Sequence, residues 1–140
     1  MTGIPYLTQE WLDESKSVLN SSELVKAAGR GTFTGSFQHF VTDLPACCPP
    51  ESAAFYSRFA DGRCEEVWLG AIDGADVTFT GPYSAWKRIH SGQASIVTSV
   101  FTFKVKVRVN PLKALYLALR YRGMFKMSRE IATMPTEYSD

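Results

Sequence analysis

The sequence predicts an α+β domain: one mainly antiparallel sheet of five strands, with helices packed on one of its faces. Three observations carry this reading. Period-two alternation dominates the middle of the chain. Helical spacing marks both ends and one insertion. Turn-forming dipeptides stand where strands should reverse. The order is two helices, four strands, two helices, one strand and one helix, and 140 residues suit a single domain. Residues 1–7 and 128–140 are expected to be loosely ordered tails.

Thr8 is a candidate N-cap, and Trp11, Leu12, Ser15, Val18 and Leu19 then share one helical face. Asn20-Ser21-Ser22 breaks and recaps the chain, so Glu23 to Ala28 forms a second short helix, stopped by Gly29 and Gly31. From Thr32 to Val41, Phe33, Phe37, His39 and Val41 fall on one face and Thr32, Thr34, Ser36 and Gln38 on the other, as in a half-buried strand. Leu44 to Glu51, with three prolines, is a loop. Ala53 to Ala60 and Cys64 to Gly70 read as strands joined by a tight hairpin at Asp61-Gly62. A turn at Asp73-Gly74 leads to Asp76–Thr80, with Val77 and Phe79 inward.

The period then changes. Pro82 opens a helix carrying Tyr83, Trp86 and Ile89 or His90, and Gly92 ends it. Ser95 caps another, with Ile96, Val97, Val100 and Phe101 on its apolar face. Phe103, Val105, Val107 and Val109 alternate with Lys104, Lys106 and Arg108: a strand with one apolar and one cationic face. Asn110-Pro111 starts a last helix that runs to about Lys126.

Composition excludes several function classes. Net charge is +1, which argues against nucleic acid as a partner, although eight Lys or Arg and no acid lie between Lys104 and Arg129. Three cysteines, two of them adjacent, make no disulfide framework and fit a reducing, cytoplasmic setting. The first ten residues carry no leader pattern, and no run approaches the roughly 18 apolar residues of a membrane span. His39 and His90 have no acidic or sulfur neighbours at ligand spacing, so neither a metal nor another cofactor is expected. Cys47-Cys48 lacks an adjacent positive charge to activate a thiol. Gly29-Arg30-Gly31 precedes a strand, not a helix, so it is no phosphate cradle. No nucleophile elbow is present and no catalytic residue is assigned.

The run Gln93 to Lys126 is unusually apolar, and its last helix has two greasy faces. At 100° per residue, Leu112, Leu115, Tyr116 and Leu119 form one face, and Ala114, Ala118, Tyr121 and Phe125 a second, nearly opposite. One face can pack on the sheet. The other needs a bound apolar ligand, a second subunit, or more of the chain's own core. The flanking cations can snorkel to water or meet an anionic membrane surface.

One stretch is more specific. Phe79-Thr80-Gly81-Pro82-Tyr83-Ser84-Ala85-Trp86-Lys87, then Ile89, Gly92 and Phe103-Lys104-Val105-Lys106-Val107, resembles the sterol carrier protein 2 domain family. The resemblance spans most of residues 8–122; it departs after the last strand, where the family's Gly followed by Asp or Asn is matched only by Asn110, and at Ser95, which replaces an acid. It implies an α+β fold enclosing a hydrophobic tunnel, and a non-catalytic protein that carries a fatty acid, acyl-CoA, sterol or similar lipid. The expected lining is Trp86, Ile96, Val100, Phe101, Phe103, Leu112, Leu115, Tyr116 and Leu119. Two rival readings stay open: a homodimeric interaction module with a vestigial cavity, and an enzyme or accessory protein acting on a hydrophobic small molecule, for which His39, Glu66 and a few tyrosines would point inward.

Overall fold

The computed structural model describes residues 3–138. In chain order the elements are β1 (Ile4–Pro5), α1 (Gln9–Ser21), α2 (Glu23–Gly29), β2 (Gly35–Thr42), β3 (Ala54–Ala60), β4 (Arg63–Leu69), β5 (Val77–Pro82), α3 (Tyr83–His90), α4 (Ile96–Phe101), β6 (Lys106–Val109), α5 (Pro111–Arg120), α6 (Met127–Ile131) and β7 (Thr136–Glu137). Short 3-10 turns cover Pro50–Ala53 and Arg122–Lys126. The main sheet has the spatial order β4-β3-β2-β5-β6. Its strands pair antiparallel except β2 with β5, which run parallel.

The capping residues act as their chemistry dictates. Thr8 Oγ1 accepts from the Trp11 amide at 3.2 Å, Ser22 Oγ from Val25, and Ser95 Oγ from Thr98. Asn110 Oδ1 accepts from Leu112 and Lys113. At the β3–β4 hairpin Asp61 and Gly62 take φ of 52° and 81°, the two positive values that a type I′ turn requires. Gly62 also packs on Gly31, whose Cα would lie 2.9 Å from any added Cβ.

Register places the inner side chains in rows across the sheet. Leu69, Phe55, His39, Phe79 and Val107 form one row, and Val67, Ser57, Phe37, Val77 and Val109 the next. Trp11, Leu12 and Leu19 of α1, Val25 of α2, and Trp86 and Ile89 of α3 are all buried and share one core with this face. Burial fades along the first row toward the β6 edge: Phe55 is buried, His39 and Phe79 are half-buried, and Val107 is exposed. Along this row the helical cover is therefore thinnest at the β6 edge, whereas Val77 of β5 in the next row is buried.

Several expectations need correction. The described tail residues are held in place: β1 pairs in parallel with β7, Leu7 is fully buried, and Tyr6 and Met134 join the core. Gln38 sits on the outer face yet is buried, because its amide donates to the carbonyls of Phe55 and Gly70 and accepts from the Ile72 amide. It thereby pins the β4–β5 connection over the sheet. The last strand begins at Lys106, not Phe103, because the Ser99 carbonyl captures both the Lys104 and Val105 amides and Phe103 turns to φ 61°. The last helix stops at Tyr121, where φ reaches −126°, so helical spacing does not extend to Phe125. Pro82 serves as N-cap of α3 and not as its first helical residue. Glu66 does not point inward: it pairs with Arg58 at 3.4 Å and accepts from the Trp68 indole on the outer face.

Candidate functional site

The apolar alternation of β2 and β5 and the helical spacing of α3 converge on an aromatic cluster. His39 stacks on Phe55 with centroids 4.4 Å apart and planes 6° from parallel, and on Phe79 at 5.5 Å. Trp86 stands edge-on to both His39 and Phe79. Its indole N–H donates to the Phe40 carbonyl at 3.0 Å, which fixes α3 against β2. His90, one helical turn on, stacks on Trp86 and shares a 2.5 Å hydrogen bond with the Tyr6 hydroxyl.

Burial decides the charge state of these rings. It lowers the pKa of both His39 and His90 to about 3, and the proximity of His39 adds to the effect on His90. Burial pushes the Tyr6 hydroxyl well above its ordinary range. Both imidazoles are neutral at physiological pH. The Tyr6–His90 pair is enclosed by Trp11, Tyr83 and Tyr138, and ties the N-terminal segment to α3. His39 differs: its Nδ1 is buried and has no hydrogen-bond partner among the described residues. An unpaired acceptor or donor of this kind is costly in an apolar wall.

The nine residues expected to line the ligand do not share one environment. Trp86 is buried, and Ile96 and Val100 are half-buried against the core. Phe101, Phe103, Leu112 and Leu119 are between 75% and 89% exposed, and Leu115 and Tyr116 are exposed by about half. Of the expected second face of α5, Ala114 and Ala118 are half-buried, while Phe125 lies beyond the helix and is exposed. Leu117 and Ala118 lie half-buried on its inner side, followed by buried Tyr121, while Leu112, Leu115 and Leu119 stand in solvent. None of the helix's own residues is buried. Outside the expected lining, Phe37 and Phe79 are half-buried and Val107 is exposed on the inner face. The alternation that marked them as inward gave no sign that the covering layer ends above them.

Two ties hold α5. The Tyr121 hydroxyl bonds Thr32 at 2.8 Å, and Lys113 pairs with Asp76. Burial alone would raise the Asp76 pKa, but Lys113 and the Ser36 amide outweigh it and hold the carboxyl below its ordinary value. Two open depressions flank β6. One, of about 470 Å³, lies beside the start of α3 and is bordered by Arg88, Phe103, Lys104 and Lys106. The other, of about 830 Å³, lies between Gln38, Asp76, Arg108 and Lys113. Among the described residues no group of three or more His, Cys, Asp or Glu could hold a metal ion, and no helix is long and apolar enough to cross a membrane.

No family model and no curated protein matches this chain. Solved structures do. A crystal structure of sterol carrier protein 2 superposes with a TM-score of 0.76 at 18% identity, covering 92% of this chain and 98% of its own. A conserved hypothetical protein of Thermus thermophilus, described as possibly a sterol carrier protein, gives 0.69 at 23% identity over 94% and 93%. A UbiJ-SCP2 ubiquinone synthesis protein gives 0.58 at 12% identity over 92% and 93%. At these identities the likeness is one of architecture: the five-stranded sheet and its helical layer, over 92% of the chain, are built on the sterol carrier protein 2 fold.

Proposed function

We propose that this protein binds and carries a hydrophobic ligand, such as a fatty acid, acyl-CoA, sterol or similar lipid, without chemical change. One observation carries the reading: α5 is apolar on both sides, and Leu112, Leu115 and Leu119 have no apolar cover. Contiguous apolar surface facing water calls for an apolar partner. The fold agrees, since a structure sharing it is named for sterol carriage. The ligand's chain would run along the thinly covered strip Phe37, Phe79 and Val107. Trp86, Ile96 and Val100 would form its wall, and Leu112, Leu115, Tyr116 and Leu119 would cover it once α5 closes. Phe101 and Phe103 would stand at its rim. His39 Nδ1 would meet the polar end. Burial of chain surface drives such binding at roughly 25 cal/mol per Å², less the ordering cost. Native mass spectrometry of freshly purified protein should show co-purified lipid. Absence of lipid, together with no saturable binding of a fluorescent fatty acid, refutes the proposal.

A second reading is an accessory or enzymatic role on a hydrophobic small molecule, favoured by the fold shared with a ubiquinone synthesis protein. It requires the same apolar site. A ligand recovered unchanged after prolonged incubation argues for carriage, and a recovered product argues for the second reading. A third reading, a homodimer that covers α5, predicts a concentration-dependent sedimentation coefficient.

A further inference from the structure

Charge is sharply partitioned along this chain. Between Val77 and Arg129 there are ten Lys or Arg and no acid; the remaining residues hold five Lys or Arg and all fourteen acids. A net charge of +1 hides a basic segment of +10 beside an acidic remainder of −9. The basic segment also carries the most exposed aromatic side chains. Phe101 is 76% and Phe103 89% exposed, at the corner between α4 and β6.

That corner is fixed rather than loose. The Ser99 carbonyl accepts from the Lys104 and Val105 amides, the Val100 carbonyl from Phe103, and the Ser99 side chain is buried. Phe103 takes φ 61°, a conformation unfavourable for a bulky L-residue. The backbone thus bears local strain to hold an apolar ring in water. Beside it, Lys104, Lys106 and Arg88 border the 470 Å³ depression, and none has an acidic partner among the described residues.

We propose that the α4–β6 corner docks on an anionic lipid bilayer, with Phe101 and Phe103 entering the acyl boundary and Arg88, Lys104 and Lys106 lying at the phosphate level. The match is one of charge and depth. Aromatic rings at the corner with the cations Arg88, Lys104 and Lys106 around the neighbouring depression suit an interface that is apolar below and negative at its surface. Docking shares the rim rings Phe101 and Phe103 with the proposed carrier site but not the strip Phe37, Phe79 and Val107 along which a ligand's chain would run, so the two are tested by separate readouts.

The test is flotation of lipid-free protein with vesicles of phosphatidylcholine alone, and with about 30% phosphatidylglycerol added to give an anionic surface. The expected result is binding to anionic vesicles that weakens with salt. Lys104→Gln/Lys106→Gln should bind about 25-fold more weakly, since each cation near an anionic surface contributes about a fivefold factor. Phe101→Ser/Phe103→Ser should lose binding without losing thermal stability, because both rings are exposed. Phe103→Trp in a Trp68→Phe background should shift its emission to the blue on anionic vesicles. Equal binding to both vesicle types, unchanged binding of the Lys or Phe variants, or a dimer that buries the new Trp without vesicles would each overturn the proposal. A protein that floats with vesicles yet binds no fatty acid keeps the docking and loses the carrier reading; the reverse outcome overturns the docking alone.

Discussion

Acidification should destabilise this fold through His90, and the size of the effect can be worked out. Burial holds the folded-state pKa near 3 against an ordinary 6.5. Below pH 6.5 the unfolded chain takes up a proton that the folded chain refuses. Stability present at pH 7 is therefore lost as pH falls, by about 1.4 kcal/mol per unit down to the folded pKa. From pH 7 to pH 5 His90 alone accounts for about 2 kcal/mol, a large share of the roughly 5–15 kcal/mol typical of a domain. His39 adds a loss of the same sign. Urea unfolding at pH 7 and pH 5, for the wild type and His90→Asn, isolates the term. The asparagine retains an acceptor near the Tyr6 hydroxyl but does not titrate. The variant should be less stable at pH 7, and its drop between pH 7 and pH 5 should be smaller than wild type by about 2 kcal/mol. Equal drops in the two proteins would refute the assignment of a buried neutral imidazole. Carboxylates titrating in the same range cancel in the comparison.

Other outcomes follow from single contacts. Gly123→Ala should cost about 1–3 kcal/mol in thermal or urea unfolding, because the new Cβ would meet Ala28 Cβ at 2.8 Å. Trp86→Ala should cost about 3–5 kcal/mol, from the cavity and the lost bond to the Phe40 carbonyl. Leu112→Ser/Leu119→Ser should change stability by less than about 1 kcal/mol, since both side chains stand in solvent, while fatty-acid binding falls at least about tenfold. With a thiol reagent at neutral pH, exposed Cys47 should react quickly and Cys64 only on unfolding, because burial pushes the Cys64 thiol up to about 12.

Local rules made most of the architecture legible. Thr8, Ser22, Ser95 and Asn110 cap helices because each has a side-chain oxygen at the required offset. Asp61-Gly62 turns the hairpin because the pair tolerates two positive φ values. What alternation and spacing could not reveal depends on contacts distant in sequence. Phe103 fits a strand pattern until the buried Ser99 carbonyl takes two successive amides. The apolar spacing in the sequence stays helical through Phe125, but Tyr121 is drawn to Thr32 and Gly123 lies against Ala28, so the helix ends before it. Gln38 reads as a solvent residue until the β4–β5 connection folds over it. The site suffered most. The sequence marks which faces are apolar, and it cannot mark where the covering layer ends, which is why Leu112 and Trp86 shared one expectation and have opposite environments.

The pairing of β1 with β7 has a mechanical consequence. The two strands run in the same direction and are joined by the Ile4 amide to the Pro135 carbonyl and the Tyr6 amide to the Glu137 carbonyl, each at 2.9 Å. Tension applied between the two ends of the chain pulls these strands past each other lengthwise. Both bonds then bear load together instead of opening in sequence like a zipper. The patch that closes the fold thus acts as a shear clamp, and the side chains next to it, Leu7 and Met134, must slide out of the core before force reaches the sheet.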